Sequence, residues 1–159
     1  MIKKIIITNF KGISALSIAP EHINVLCGPC GSGKSSALEA IRFALTGSGS
    51  ASDISSGKQE CSVEVVFSDG STIERTRTRG GSTVRINGKK TSQLSASEYL
   101  EGMLGVTPKT LAAFCGADYI GSLSQKDITS LFLSVLPVQI NFNKMIELVE
   151  NMTARTLSA

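Results

Sequence analysis

The sequence predicts an α/β domain with a mixed sheet, an antiparallel β-meander and a helical C-terminal third. Three observations carry that expectation. A short apolar run at residues 23–27 leads into a glycine-rich loop and then into helical periodicity. Between residues 60 and 92, side chains alternate with period two, and Asp69-Gly70, Gly80-Gly81 and Asn87-Gly88 interrupt the alternation as hairpin turns. Beyond residue 93, apolar stripes at helical spacing follow serine or threonine caps.

Taken in order, Ile5, Ile6 and Ile7 open a first strand that ends at a turn around Asn9, Phe10, Lys11 and Gly12. Leu16 and Ile18 share one face of a second strand, which Pro20 stops. These two strands are expected to form a hairpin beside a buried third strand at residues 23–27. A helix at residues 36–46 presents Ala37, Leu38, Ile41, Ala44 and Leu45 on one side, and Gly47 supplies a left-handed stop. Residues 47–58, rich in Gly and Ser, are expected to be a flexible connector or a surface loop.

In the meander, Val63, Val65 and Phe67 share one face. The next strand places Ile73, Arg75, Arg77 and Arg79 on one side and Thr72, Glu74, Thr76 and Thr78 on the other. Val84 and Ile86 continue the alternation. A capping box at Ser95 and Glu98 is expected to open a helix carrying Tyr99, Leu100, Met103 and Leu104, with Gly105 as its stop. Thr107-Pro108 is expected to open a helix running through Phe114, and residues 115–122 to be irregular or a short strand. Ser124 and Asp127 cap a further expected helix with the stripe Ile128, Leu131, Phe132, Val135 and Leu136, ended by Pro137. A last helix is expected over residues 143–153.

Composition limits the function classes. The chain has 159 residues, 42% hydrophobic and 18% charged, enough apolar material for a folded core. A net charge of +3 is mild and by itself implies no nucleic acid. No apolar run approaches membrane-spanning length, and the basic, then apolar opening is too short for a signal peptide. Four cysteines without a framework of spacings fit a reducing cytosol, so a cytoplasmic location is expected. With His22 as the single histidine, a histidine-based metal site is not expected.

The chemistry concentrates in residues 28–35, GPCGSGKS. They fit G-x-x-x-x-G-K-[ST], with Gly28, Gly33, Lys34 and Ser35 at the four fixed places. Glycines let the backbone wrap closely and turn several N–H groups toward one centre, and the helix start adds positive potential. Backbone amides of Gly31, Ser32, Gly33, Lys34, Ser35 and Ser36 are expected to cradle phosphates. Lys34 would place a point charge between the terminal phosphates and is the expected catalytic residue. The Ser35 hydroxyl is the expected magnesium ligand. ATP and Mg2+ are therefore the expected cofactors, and residues 1–47 the nucleotide-binding core. An autonomous phosphate-loop NTPase or kinase fits the same motif.

Two other features compete for a role. Cys27-Gly28-Pro29-Cys30 is C-x-x-C, the pattern of a thiol–disulfide redox protein. Against that reading, the helical periodicity starts after Lys34, and Gly31 and Gly33 make a poor first turn of a redox helix. A Cys27–Cys30 disulfide is expected to distort the loop. The basic side chains Arg75, Arg77, Arg79 and Arg85 are DNA-contact candidates; a charged, solvated sheet edge is the alternative, and the preferred, reading of them.

Laid out in this way, the chain resembles the N-terminal lobe of the SMC/SbcC/RecF group of ABC-type phosphate-loop ATPases. The matching residues are the opening Ile5 to Gly12, the loop from Gly28 to Ser36, and Leu45-Thr46-Gly47, with the strand pair at 63–79 and the turn at Ile86-Asn87-Gly88. The resemblance is strong over residues 1–47 and weakens toward residue 159. It implies ATP binding, and ATP hydrolysis in a complete protein that serves DNA repair or chromosome maintenance. It also implies that Lys11, where Arg is commoner, reaches the nucleotide. Three departures stand out. Cys30 replaces an Asn, Pro29 removes an N–H, and no Gln stands between Phe114 and Tyr119, where Asp118 is the available metal-ligand substitute. The signature motif, a convincing Walker B strand and the catalytic Glu are also missing. The whole of residues 1–159 is therefore expected to be a single lobe: the core at 1–47, an antiparallel section at 60–92 and a helical section at 93–159. Its expected partners are a C-terminal lobe with a coiled coil, a second head in a head-to-head dimer, a nuclease subunit and DNA, with no membrane. Alone it is expected to hydrolyse almost no ATP.

Overall fold

Alternating burial builds the central sheet. In β1 (Ile2–Phe10), Ile5, Ile7 and Phe10 point inward; in β3 (Glu60–Phe67), Cys61, Val63, Val65 and Phe67 do the same. The period-two pattern of Ile5, Ile7 and the β3 residues specifies register, because a slip of one residue would expose those side chains. The computed structural model describes residues 1–107, 110–111 and 124–135. In chain order β2 (Ile13–Ile18) follows β1, and β4 (Thr72–Thr78), β5 (Gly81–Ile86) and β6 (Lys89–Thr91) follow β3. The order across the sheet is β2-β1-β3-β4-β5-β6, and every neighbouring pair is antiparallel.

The first hairpin turns at Lys11 and Gly12, with Phe10 opposite Ile13. Asn9 and Lys11 take left-handed backbone conformations there, with φ of 54° and 48°. The hairpins at Asp69-Gly70 and Asn87-Gly88 stand where the sequence puts them.

One face of the sheet is covered by helix. α1 (Lys34–Thr46) buries Ala37, Ala40, Phe43, Ala44 and Leu45 against β1, β3 and β4. Its small alanines let the helix sit close to the sheet, and Phe10 and Phe43 meet with ring centroids 6.0 Å apart. Gly47 closes the helix in a left-handed conformation, its N–H on the carbonyl of Phe43 at 2.8 Å. α2 (Gln93–Leu104) packs Ala96 and Leu100 against α1 and β5. Its cap is Ser92, whose hydroxyl accepts from Ser95 N–H, so the helix starts a turn before the expected box at Ser95. The other sheet face, with Ile6, Thr8, Glu64, Val66 and Glu74, is only half-buried.

Three expectations are corrected. Residues 23–27 form no strand, and Ile23 and Val25 are 87% and 78% exposed. The sheet among the described strands is consequently antiparallel throughout rather than mixed. An apolar run becomes a parallel strand only where a distant partner receives it, and β1 already pairs with β2 and β3 along its two edges. The connector at residues 47–58 is not a free linker. It contains a single 3-10 turn, Ala51–Asp53, and lies along the β1–β2 turn. Lys11 N–H donates to the Asp53 carbonyl at 2.7 Å, Ser55 N–H to the Asn9 carbonyl at 2.9 Å, and Ser55 Oγ–H to the Lys11 carbonyl at 2.6 Å.

Two compact units divide the chain, Met1–Leu123 and Ser124–Ala159. In the second, α3 (Gln125–Val135) is capped as expected: Asp127 N–H donates to Ser124 Oγ at 3.2 Å, and the Ser124 hydroxyl donates to the Asp127 carboxylate at 2.5 Å. Ile128 and Leu131 are half-buried, whereas Phe132 is 56% exposed. The expected helices over 107–114 and 143–153, the segment 115–122, the stripe side chains of Val135 and Leu136, and Asp118 lie wholly or mainly outside the described residues. Among the described residues, no helix is long and apolar enough to cross a membrane.

Candidate functional site

The loop from Gly28 to Gly33 arrives on the irregular segment 23–27 and feeds directly into α1, which begins at Lys34. Glycine is required at two of its positions. Gly28 has φ of 156°, and a Cβ there would come within 2.8 Å of Ser32 Oγ. Gly33 caps α1 with φ of 90°, its added Cβ 3.4 Å from Ile13 Cγ1. Between them, Ser32 N–H donates to the Pro29 carbonyl at 3.3 Å, with Gly31 at φ of 82° in the second central position of the turn.

Lys34 is the centre of this loop. Its Nζ donates to the Gly28 carbonyl at 2.9 Å, to the Pro29 carbonyl at 2.7 Å and to Ser32 Oγ at 3.3 Å. The loop thus folds round its own ammonium group, holding the charge at the mouth of the helix. The amides at the start of α1 have no earlier turn to donate to, except that Ala37 N–H reaches the Gly33 carbonyl at 2.9 Å. Ser35 is exposed in this first turn, and its hydroxyl makes no hydrogen bond among the described residues. A hard oxygen, uncommitted and next to a held ammonium, suits a magnesium ion that also takes phosphate oxygens. Ser36 is half-buried beside it.

Lys11 lies on the β1–β2 turn, where its Nζ pairs with the carboxylate of Glu39 on α1 and stands 3.7 Å from Asp53 Oδ1. A cleft of about 250 Å³ adjoins this pair, lined by Lys11, Glu39, Arg42, Ser52 and Asp53 among others. Sequence reasoning missed Glu39 and Asp53. For Asp53 a signal existed: Ser50 and Asp53 have the spacing of a capping box, and Ser50 N–H donates to Asp53 Oδ2 at 2.7 Å.

The basic side chains do not form one face. Arg75 is 1% exposed between β4 and α1, with Nε on the Ala44 carbonyl at 2.6 Å and Nη1 on Gln93 Oε1. A guanidinium at that depth does not reach a DNA backbone, which corrects the reading of Arg75 as a DNA contact. Its inward position follows from the pleat, since Arg75 shares the core face with Ile73. Burial, followed by the neighbouring Arg77 charge, lowers its pKa to about 10. Arg77 is half-buried over the Phe43 ring, 5.1 Å from its centroid, and its Nη2 reaches the Gly47 carbonyl at 3.3 Å. With Gln93 Nε2 on the Thr46 carbonyl at 2.9 Å, these groups satisfy the carbonyls of Ala44, Thr46 and Gly47 at the C-terminal end of α1. Arg79 and Arg85 are exposed, and Arg85 pairs with Glu74 at 3.3 Å.

Cys27 and Cys30 are exposed free thiols, and Cys61 is buried. Neither exposed thiol stands at a helix N-terminus, because α1 opens only at Lys34. Among the described residues, no group of three or more His, Cys, Asp or Glu side chains could hold a metal ion.

The chain is similar to several known proteins. A family model described as an AAA domain matches residues 4–151. The chain is 41% identical over 81 residues to the SbcC component of the nuclease SbcCD of Deinococcus radiodurans, covering 46% of the chain and 9% of that protein. It is 46% identical over 60 residues to Uncharacterized protein 050L of Invertebrate iridescent virus 6, covering 36% of the chain and 6% of the viral protein. It therefore spans less than a tenth of the length of these relatives. Among solved structures, the recombination mediator RecF with ATP superposes with a TM-score of 0.55 at 24% identity, over 60% of this chain and 30% of RecF. A second RecF structure, titled as the ATPrS complex, gives 0.54 at 25% identity, over 61% and 29%. The family match spans most of the chain, and the fold and loop agree with it: this chain belongs to the AAA domain family.

Proposed function

We propose that this chain binds ATP with magnesium at Gly28 to Ser36. The observation that carries the reading is Lys34 Nζ, held by the Gly28 and Pro29 carbonyls at the mouth of α1. When a triphosphate enters, its oxygens replace those carbonyls as partners of the ammonium, and the amides from Gly31 to Ser36 take the remaining phosphate oxygens. Magnesium, when bound, neutralises charge between the terminal phosphates, and the Ser35 hydroxyl is the side chain that would hold it. Lys11 exchanges Glu39 and Asp53 for the nucleotide. The named complexes of RecF with ATP and with ATPrS support a nucleotide at this fold.

In the complete protein, the lobe works with a C-terminal lobe that brings a coiled coil, a signature motif and a catalytic Glu. Two such heads enclose ATP, and hydrolysis drives a DNA-processing machine in the cytoplasm. The likeness to the SbcC component of the nuclease SbcCD supports DNA repair and a nuclease partner. Arg79 and Arg85, the exposed members of the set, are the DNA contacts proposed for this lobe.

A fluorescent ATP analogue and a phosphate-release assay test the reading together. Saturable binding that weakens without magnesium and in Ser35→Ala, with negligible phosphate release, is the result expected of one lobe. Multiple turnover by the chain alone would replace this reading with an autonomous NTPase. No binding at all would end both.

A further inference from the structure

We propose that the Cys27–Cys30 pair is a site of reversible oxidation that sets the position of Lys34; as a control on nucleotide affinity, it rests on the ATP-binding reading above. The two residues enclosed by the thiols, Gly28 and Pro29, are the two whose carbonyls hold Lys34 Nζ, at 2.9 and 2.7 Å. Both thiols are exposed and free. An oxidant therefore has access to both of them, and whatever reshapes the segment between them moves the groups that grip the lysine.

The reshaping follows from chain geometry. A disulfide needs Cα atoms about 4.4–6.8 Å apart, whereas three extended residues advance roughly 10 Å. The span from Cys27 to Cys30 must therefore become a turn with Gly28 and Pro29 at its centre. In the reduced chain the turn lies two residues later, from Pro29 to Ser32, closed by the Ser32 N–H bond to the Pro29 carbonyl at 3.3 Å. Gly28 and Pro29 suit the alternative turn. Glycine accepts the positive φ of a type II′ first position, and proline fits the negative φ of the second. Moving the turn rotates both carbonyls, and Pro29 O loses Ser32 as a partner. Lys34 then loses its two carbonyl acceptors in one step.

The chemistry balances with a peroxide as oxidant. One thiolate attacks the O–O bond, which breaks to give a sulfenic acid and, after protonation, water. The second thiolate attacks that sulfur; the S–S bond forms, the S–O bond breaks, and a second water leaves. Two electrons pass from the thiols to the peroxide. A dithiol reductant reverses the change by thiol–disulfide exchange.

The test uses hydrogen peroxide on the purified chain in a Cys115→Ser background, with peptide mapping for the Cys27–Cys30 link and its loss of two hydrogens in mass. Two readouts follow. Lys34 acylation by an amine-directed reagent, which needs no nucleotide, is expected to rise several-fold in the oxidised form. Affinity for magnesium ATP is expected to fall about tenfold or more, because the released ammonium is no longer held in place where the phosphates arrive. Dithiothreitol should restore both, and Cys27→Ser should respond in neither. If the link forms and Lys34 labelling is unchanged, or if peroxide makes no such link, the proposal is overturned. Unchanged ATP affinity despite altered labelling overturns the control of nucleotide binding. Failure of the reduced chain to bind ATP defeats the functional reading instead, and the labelling result still decides whether the thiols govern Lys34.

Discussion

Arg75 Nε donates to the Ala44 carbonyl at 2.6 Å, so a strand arginine completes the C-terminus of the helix that follows the glycine-rich loop. The cation also lies at the negative end of that helix. Its cost is burial, which lowers the guanidinium pKa to about 10, with Arg77 adding to it. Since the folded pKa lies below the unfolded one, this term opposes folding at neutral pH and eases only as pH rises through the folded value. The hydrogen bonds and packing offset it.

Arg75→Ala is expected to destabilise the chain by about 3 kcal/mol, because it empties a buried position and leaves the Ala44 carbonyl without its donor. Arg75→Lys should also be clearly destabilised, since a point charge cannot reach Ala44 and Gln93 as a fork does. Arg85→Ala, which removes an exposed pair with Glu74, should stay within about 0.5 kcal/mol of wild type. Urea unfolding of the three variants checks the order; equal effects at Arg75 and Arg85 would contradict it.

Gly33→Ala forces a methyl-bearing residue into a left-handed conformation at the start of α1. A loss of roughly 1–2 kcal/mol is expected from that conformation. The Ile13 side chain, 3.4 Å from the new Cβ, adds to it. Gly31→Ala, also at positive φ but with nothing within 4 Å, should lose only the conformational part. Thermal melts of the two variants separate strain from contact.

Asp69 sits in the β3–β4 turn, accepting from the Ser71 hydroxyl at 2.6 Å and the Ser71 amide at 2.9 Å. The side-chain bond, then the backbone bond, lowers its pKa. A depressed carboxylate lends stability that is full above its unfolded pKa and is lost as pH falls through the folded one. Asp69→Asn should therefore flatten the acid limb of the stability profile. Melts from about pH 6 down to about pH 2 span the ordinary carboxylate range, and an unchanged acid limb would count against the turn.

Thiol labelling distinguishes the cysteines. Burial, then the nearby Asp53 charge, raises the pKa of Cys61, so its thiolate is scarce as well as shielded. In the folded chain Cys27 and Cys30 should react readily with a disulfide reagent and Cys61 slowly. Peptide mapping after a short pulse reads the order directly, and rapid labelling of Cys61 would show that β3 opens.

Local signals were enough for much of this. The alternation in β3 and β4, the turns at Asp69-Gly70 and Asn87-Gly88, and the stops at Gly47 and Gly105 depend on neighbours a few residues away. The shape of the glycine-rich loop was legible for the same reason, since Gly28, Gly33 and Lys34 act on one stretch of backbone. What failed was non-local. The run at 23–27 is apolar enough for a buried strand, but nothing within it reports whether a partner strand is present. The arginines of β4 looked like a surface stripe, because sequence does not show that the end of α1 lies above Arg75. Glycine and serine at 47–58 suggested a linker, while the bonds that fix that segment join Asp53 and Ser55 to Asn9 and Lys11, far away in the sequence.

Calorimetric titration of magnesium ATP into the reduced chain, wild type against Lys34→Ala, tests the phosphate pocket most directly. One saturable site is expected in wild type. In the variant its affinity should fall by about ten- to a hundredfold, the worth of a charge-assisted contact, with the circular dichroism unchanged. Equal affinity in the two proteins, or no binding by a folded wild type, would contradict the account.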